Sequence, residues 1–202
     1  MNKIPKFRYA RTLVEWLSKN PQSERLPSGI EEVFFKSSEE PSKIAEFVAK
    51  YSMFVGPLDA RLESLLVHSN RAIVDYSQIL HKNGAPPLPD STLERLKGDD
   101  NHLMLLARWT RRLPSWLEDT LKHPKTLVNY AANIIVGRLP QHLEELLVSD
   151  VNALVDYAFK VIRGLSPIRL PDNLHSVVVL KSFEHTDNIT IKKYFEEVSR
   201  AG

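Results

Sequence analysis

Residues 130–158 read YAANIIVGRLPQHLEELLVSDVNALVDYA, and this stretch decides the fold. It begins and ends on the same Tyr-Ala pair, and each pair sits in the same apolar pattern. Leu127, Tyr130, Ala131, Ile134 and Ile135 form one set, and Leu154, Tyr157, Ala158, Val161 and Ile162 form the next. Apolar residues at i, i+3, i+4, i+7 and i+8 line one face of an α-helix. Between the two sets stand Leu139-Pro140, which stops the first helix, Leu143-Glu144 at the start of a shorter one, and Ser149-Asp150, which can cap the second.

The same punctuation extends in both directions. Leu-Pro recurs at Leu26-Pro27, Leu88-Pro89, Leu113-Pro114 and Leu170-Pro171, with Leu58-Asp59 as a sixth copy in which Asp replaces Pro. An apolar residue followed by Glu or His comes four or five positions later: Ile30-Glu31, Leu62-Glu63, Leu93-Glu94, Leu117-Glu118 and Leu174-His175. Ser28, Ser91 and Ser115 each stand three residues before such a Glu, the spacing of a capping box. Asp59 and Asp172 read as equivalent N-caps. Further caps are expected at Ser69-Asn70, Asp99-Asp100 and His123-Pro124, and left-handed C-caps at Gly56, Gly84, Gly137 and Gly164. Tyr76 with Ser77, and Leu103, Leu106 and Ala107, continue the long-helix phase.

These features predict an all-α chain, an α/α solenoid of about six helix-pair repeats of 24–32 residues. The reading is of one domain, 1–202. Residues 1–26 form an N-terminal capping helix with Tyr9, Ala10, Leu13, Trp16 and Leu17 on one face. Residues 27–171 carry the repeats, and 172–202 form an atypical C-terminal cap in which the β-branched run Val177-Val178-Val179 is expected to be helical. The motif Leu-Glu-x-x-Leu, an Asp or Ser turn, and Tyr-Ala-x-x-Ile-Ile/Val-x-Gly-Arg with Leu-Pro, seen in Leu143 to Asp150 and Tyr130 to Pro140, resembles the short helical repeats of uncharacterised phage-encoded proteins. The resemblance covers roughly residues 28–171. It implies the fold and a viral origin, and it carries no active site.

Composition narrows the functional classes. The 202 residues are 43% hydrophobic and 26% charged, with a net charge of +2, which fits a globular chain rather than a disordered one. No Cys is present, so thiolate chemistry and disulfides are excluded. No apolar run reaches the length of a membrane span, and a cytoplasmic location is expected, the host cytoplasm if the protein is viral. Phosphate-loop, His-Glu-x-x-His, Gly-x-Ser-x-Gly and EF-hand patterns are all missing. No catalytic residue, metal site or cofactor is expected. His142 and Glu145 share a helix turn without a third ligand, and Tyr76, Tyr130 and Tyr157 read as core. The recurring Glu residues read as helix caps.

Charge is distributed in blocks. Residues 1–25 carry +4, 26–94 carry −4, 95–140 carry +4 and 141–202 carry −2. Within the basic block, Arg108, Trp109, Arg111, Arg112, Trp116, Lys122 and Lys125 are the candidate binding residues, because cations interleaved with aromatic rings suit anionic or aromatic ligands. The expected function is a non-enzymatic interaction module that binds a protein. Nucleic-acid binding through residues 95–140 is the first alternative, and a helical-repeat enzyme acting on nucleic acid through an Asp or Glu is the second. Homo-oligomers through an uncovered end are also open, with Trp16 and Leu17 or Phe183 and Phe195 as the apolar candidates.

Overall fold

In a computed structural model the structure describes residues 5–21, 26–162 and 170–201, and every regular element among them is helical. Short and long helices alternate. The elements are α1 (Ala10–Lys19), α2 (Glu32–Lys36), α3 (Pro41–Val55), α4 (Ala60–Glu63), α5 (Asn70–Lys82), α6 (Asp90–Leu93), α7 (Asp100–Thr110), α8 (Ser115–Glu118), α9 (Pro124–Tyr130), α10 (Gln141–Leu146), α11 (Val151–Lys160), α12 (Asp172–Glu184) and α13 (Ile189–Ala201). After α4, α6 and α10 the backbone tightens into 3₁₀ turns at Leu66–His68, Glu94–Leu96 and Leu147–Ser149. The Val177 to Val179 run lies inside α12, as the sequence predicts. Gly164 lies outside the described residues.

The chain forms two compact units, Met1–Leu96 and Lys97–Gly202. In the first, α3 packs against α1 on one side and α5 on the other. In the second, α9 packs against α7 and α11, and α11 in turn against α12 and α13. Each core is built from the long-helix stripes: Leu13 and Leu17, Ala45 and Val48, and Ile73 and Leu80 in the first unit, then Leu103 and Leu106, Leu127 and Val128, and Leu154 and Val155 in the second, all buried. At the two chain ends, Leu17 is buried and Trp16 and Phe195 are half-buried, whereas Phe183 is 77% exposed.

The long-helix caps are those read from sequence. Ser69 accepts the Ala72 N–H, Asp99 accepts that of His102, and Asp150 accepts those of Asn152 and Ala153. The short-helix caps differ. Asp59 caps α4 through Leu62 N–H, but α6, α8, α10 and α12 take Pro89, Pro114, Pro140 and Pro171 as N-cap, with no capping side chain. Ser91, Ser115 and Asp172 therefore stand inside the helix, and Ser28 lies in the turn before α2. The three capping boxes do not form. The proline ring already fixes the φ near −55° from which the next residue turns helical, so the helix begins one residue earlier than the Ser-to-Glu spacing implies.

The α9 rod continues as a π-helix over Ala131–Ile135. Its wider turn moves Ile134 and Ile135 off the face of Leu127, Tyr130 and Ala131, so both are half-buried rather than core. The rod ends with Val136, not Gly137, in the left-handed region at φ 53°, ψ 45°. A β-branched residue is strained there, and Val136 is 76% exposed and gains no packing in return. Val136→Gly should raise stability by about 0.5–1 kcal/mol, the relief of left-handed strain less the entropy of Gly. An unchanged or lower urea midpoint would show that the backbone is not strained at this turn.

Candidate functional site

The residues that repeat in sequence converge on one hydrogen-bonded node. In four of the Leu-Pro or Leu-Asp turns the backbone N–H of the Leu lies outside any helix ladder, and a tyrosine from a following long helix accepts it. Leu58 N–H donates to Tyr76 Oη at 2.8 Å, Leu113 to Tyr130 at 3.1 Å, Leu139 to Tyr157 at 2.9 Å and Leu170 to Tyr194 at 3.3 Å. The recurring acid then accepts a hydrogen bond from the phenol. Tyr51 donates to Glu31 at 2.8 Å, Tyr76 to Glu63 at 2.9 Å and Tyr157 to Glu144 at 2.5 Å. At the last copy His175 Nδ1 stands in for the acid, 2.8 Å from Tyr194 Oη. All five tyrosines are essentially inaccessible to solvent.

Of the acids that read as helix caps, Glu31, Glu63 and Glu144 are thus internal ties. Glu118 and Glu144 are 2% and 3% exposed. Arg138, which precedes Leu139-Pro140, clasps Glu144 through Nε at 3.0 Å and Nη2 at 2.8 Å. Arg112 holds the equivalent position before Leu113-Pro114 but reaches Glu118 Oε2 with one nitrogen at 3.4 Å, and Glu118 Oε1 has no hydrogen-bond partner among the described residues. The phenols feel this environment. Burial pushes the Tyr76 hydroxyl up to about 12, and it raises Tyr51, Tyr130 and Tyr157 as well, with the neighbouring Glu carboxylates adding to the effect.

The seven binding residues expected from sequence, all in the second unit, have separate fates. Arg112 is committed to Glu118. Trp116 is half-buried with Lys97 Nζ over its ring at 5.3 Å, and Trp109 is half-buried on α7. Lys122 is held by its backbone, its N–H and that of His123 donating to the buried carboxylate of Asp100, which ties the start of α9 to the start of α7. The Arg108, Arg111, Lys122 and Lys125 side chains are exposed, and no hydrogen bond or ion pair engages them among the described residues. Arg111 closes α7 in the left-handed conformation at φ 64°.

Of these exposed cations, Arg108 lines a cleft. A groove of 670 Å³ runs between α7 and the α9 rod, with Asn101, Arg108, Thr126, Asn129 and Asn133 as its polar lining. No carboxylate among the described residues lines it. A smaller cleft of 390 Å³ is bordered by Arg138 and Glu144, but both Glu144 oxygens already accept hydrogen bonds. His142 pairs with Asp119 across adjacent short helices, Nε2 to Oδ1 at 2.8 Å, rather than with Glu145. No group of three or more His, Cys, Asp or Glu among the described residues could hold a metal ion, and no helix there is long and apolar enough to cross a membrane.

The node and the groove have different signals in sequence. Tyr, Glu and Leu-Pro are each visible, but joining them requires the spacing of 17 or 18 residues from Leu to Tyr in the Leu58, Leu113 and Leu139 copies. The groove asparagines carry no such repeat.

Tyr157→Phe should cost about 1–3 kcal/mol, because the buried Leu139 N–H loses its acceptor. Glu144→Leu, which strands both Tyr157 and Arg138, should cost at least twice as much as Glu118→Leu, whose acid makes a single long contact. Equal losses in urea unfolding would refute the difference between the two nodes. Since the folded phenols ionise above the ordinary value of 10, their contribution is complete below pH 10 and is lost at higher pH, that of Tyr76 as pH rises through about 12. Phenolate absorbance should therefore show four of the six tyrosines ionising together with alkaline unfolding rather than before it.

No family model, curated protein or solved structure matches the chain.

Proposed function

We propose that the protein is a non-enzymatic interaction module whose helix pairs stack as an α/α solenoid of about six repeats and bind a protein partner on the surface of the second unit. The observation that carries this reading is the division of labour among the polar groups. Of the groups able to do acid-base work, Glu63, Glu144, Tyr76 and Tyr157 satisfy one another and the backbone of the turns. The cations Arg108, Arg111 and Lys125 instead stand exposed in the unit that holds the 670 Å³ groove, unpaired among the described residues. Side-by-side packing of successive long helices within each unit agrees with stacking, which exposes a long surface over which affinity can be distributed.

The same unpaired cations favour a second reading, binding of nucleic acid. Two features weigh against it: the Trp116 ring already carries Lys97, and a pI of 8.7 is modest for a dedicated nucleic-acid binder. Affinity capture from lysate of the natural host, with and without nuclease, separates the two. The expected result is a stoichiometric protein that survives nuclease and is lost with Arg108→Glu/Arg111→Glu. Material that disappears with nuclease, and whose binding falls steeply with salt, would replace the protein-binding reading by the nucleic-acid one.

A further inference from the structure

We infer that the groove between α7 and the α9 rod is a binding site for a short extended peptide segment carrying an acidic side chain, an inference that rests on the protein-binding reading and specifies its partner.

The walls fit a peptide backbone. Asn101 on α7 and Asn129 on α9 present exposed side-chain amides with no intramolecular hydrogen bond among the described residues. Asn133 donates its Nδ2 to the Asn129 carbonyl at 3.0 Å, which leaves its Oδ1 to accept. A side-chain amide has one acceptor and a paired donor, the complement of a backbone carbonyl and N–H. The π-helix contributes directly. By widening the turn it brings Ile134 out of the core, where with Met104 and Leu105 it gives the groove an apolar lining between the polar groups. From Asn101 to Arg108 the α7 wall is about 10 Å long at the α-helical rise, which accommodates about three residues of an extended peptide.

Charge chooses the peptide. Arg108 is the one charged residue in the lining, and Arg111 and Lys125, at the ends of the two helices that form it, are also unpaired among the described residues. An Asp or Glu side chain, or a terminal carboxylate, would complete Arg108 with a charge-assisted pair. The lining also argues against nucleic acid as the occupant. A single strand is held by several cations and by aromatic rings on which bases stack. This groove offers one cation and no ring.

Panning a displayed random-peptide library on the full-length protein tests the assignment. Selected peptides should be enriched in Asp and Glu, and they should bind about tenfold more weakly to Arg108→Glu and to Asn129→Ala. Asn101→Ala, on the α7 wall with Arg108, should weaken them likewise, and circular dichroism of these exposed-site variants should match the parent. Peptides that bind all three variants as tightly as the parent would overturn the groove while leaving the protein-binding reading intact. Failure to select any peptide, together with Arg108-dependent binding of oligothymidylate, would overturn both. If neither ligand binds, the groove assignment falls on its own.

Discussion

The buried N–H of the leucine that opens a Leu-Pro or Leu-Asp turn is the constraint from which the rest of the repeat follows. Leu58, Leu113, Leu139 and Leu170 are all buried, and each precedes a helix whose ladder does not include its own N–H. Left without an acceptor, such a group costs about 1–3 kcal/mol. The tyrosine hydroxyl supplies that acceptor, but it then carries a buried proton of its own. A carboxylate accepts the hydrogen bond from this hydroxyl, and the carboxylate, now buried, needs a cation. At Leu139 the series is complete: Leu139 N–H, Tyr157, Glu144, Arg138. Each residue type answers a need created by the one before, so Arg-Leu-Pro, the acid four residues after the Pro and the distant Tyr form one unit of meaning. After Tyr51, Tyr76, Tyr130 and Tyr157 the next residue is small and buried (Ser52, Ser77, Ala131 and Ala158), because the ring must lie close against the neighbouring helix.

That dependence explains which parts of the sequence were readable. Helical stripes and the caps at Ser69, Asp99 and Asp150 are local, and local patterns of that kind largely decide an all-α chain. The capping-box reading failed because Ser-x-x-Glu has the right spacing for a local motif while the Glu serves a tertiary one. A discriminating sign was present in the sequence. Gln141 stands where Ser115 does in the neighbouring copy, yet Glu144 persists, so the acid does not depend on the serine. Gly137 misled for a related reason. The expected α-helical end would place a glycine there, but the π-turn moves the left-handed position to Val136, and no residue in Ala131–Ile135 announces that turn.

The copy beginning at Leu88 is informative because it lacks the node. The residue 18 positions after Leu88 is Leu106, which has no hydroxyl, and Glu94, five rather than four residues after its Pro, is exposed. The boundary between the two compact units, after Leu96, falls within this same copy. Where the node exists it ties the turn to a following long helix by side-chain bonds.

Arginine shows why net charge alone could not locate a binding surface. The basic block from 95 to 140 contains eight cations, and among the five that sequence singles out, Arg112 stands level with Arg108, Arg111, Lys122 and Lys125. The fold separates them. Arg112 and Arg138 precede Leu-Pro turns and are drawn onto buried acids, so replacing either would report on folding before it reported on binding. Arg108 and Lys125 lie on the long helices, whose inner faces are already filled with Leu and Val, and they are left to solvent. Position in the repeat therefore sorts the cations: those beside the turn stabilise the node, and those on the outer face of a long helix remain available to a ligand. Of the second group Arg108 lines the groove, where asparagine rather than carboxylate surrounds it, and no acid among the described residues neutralises its charge.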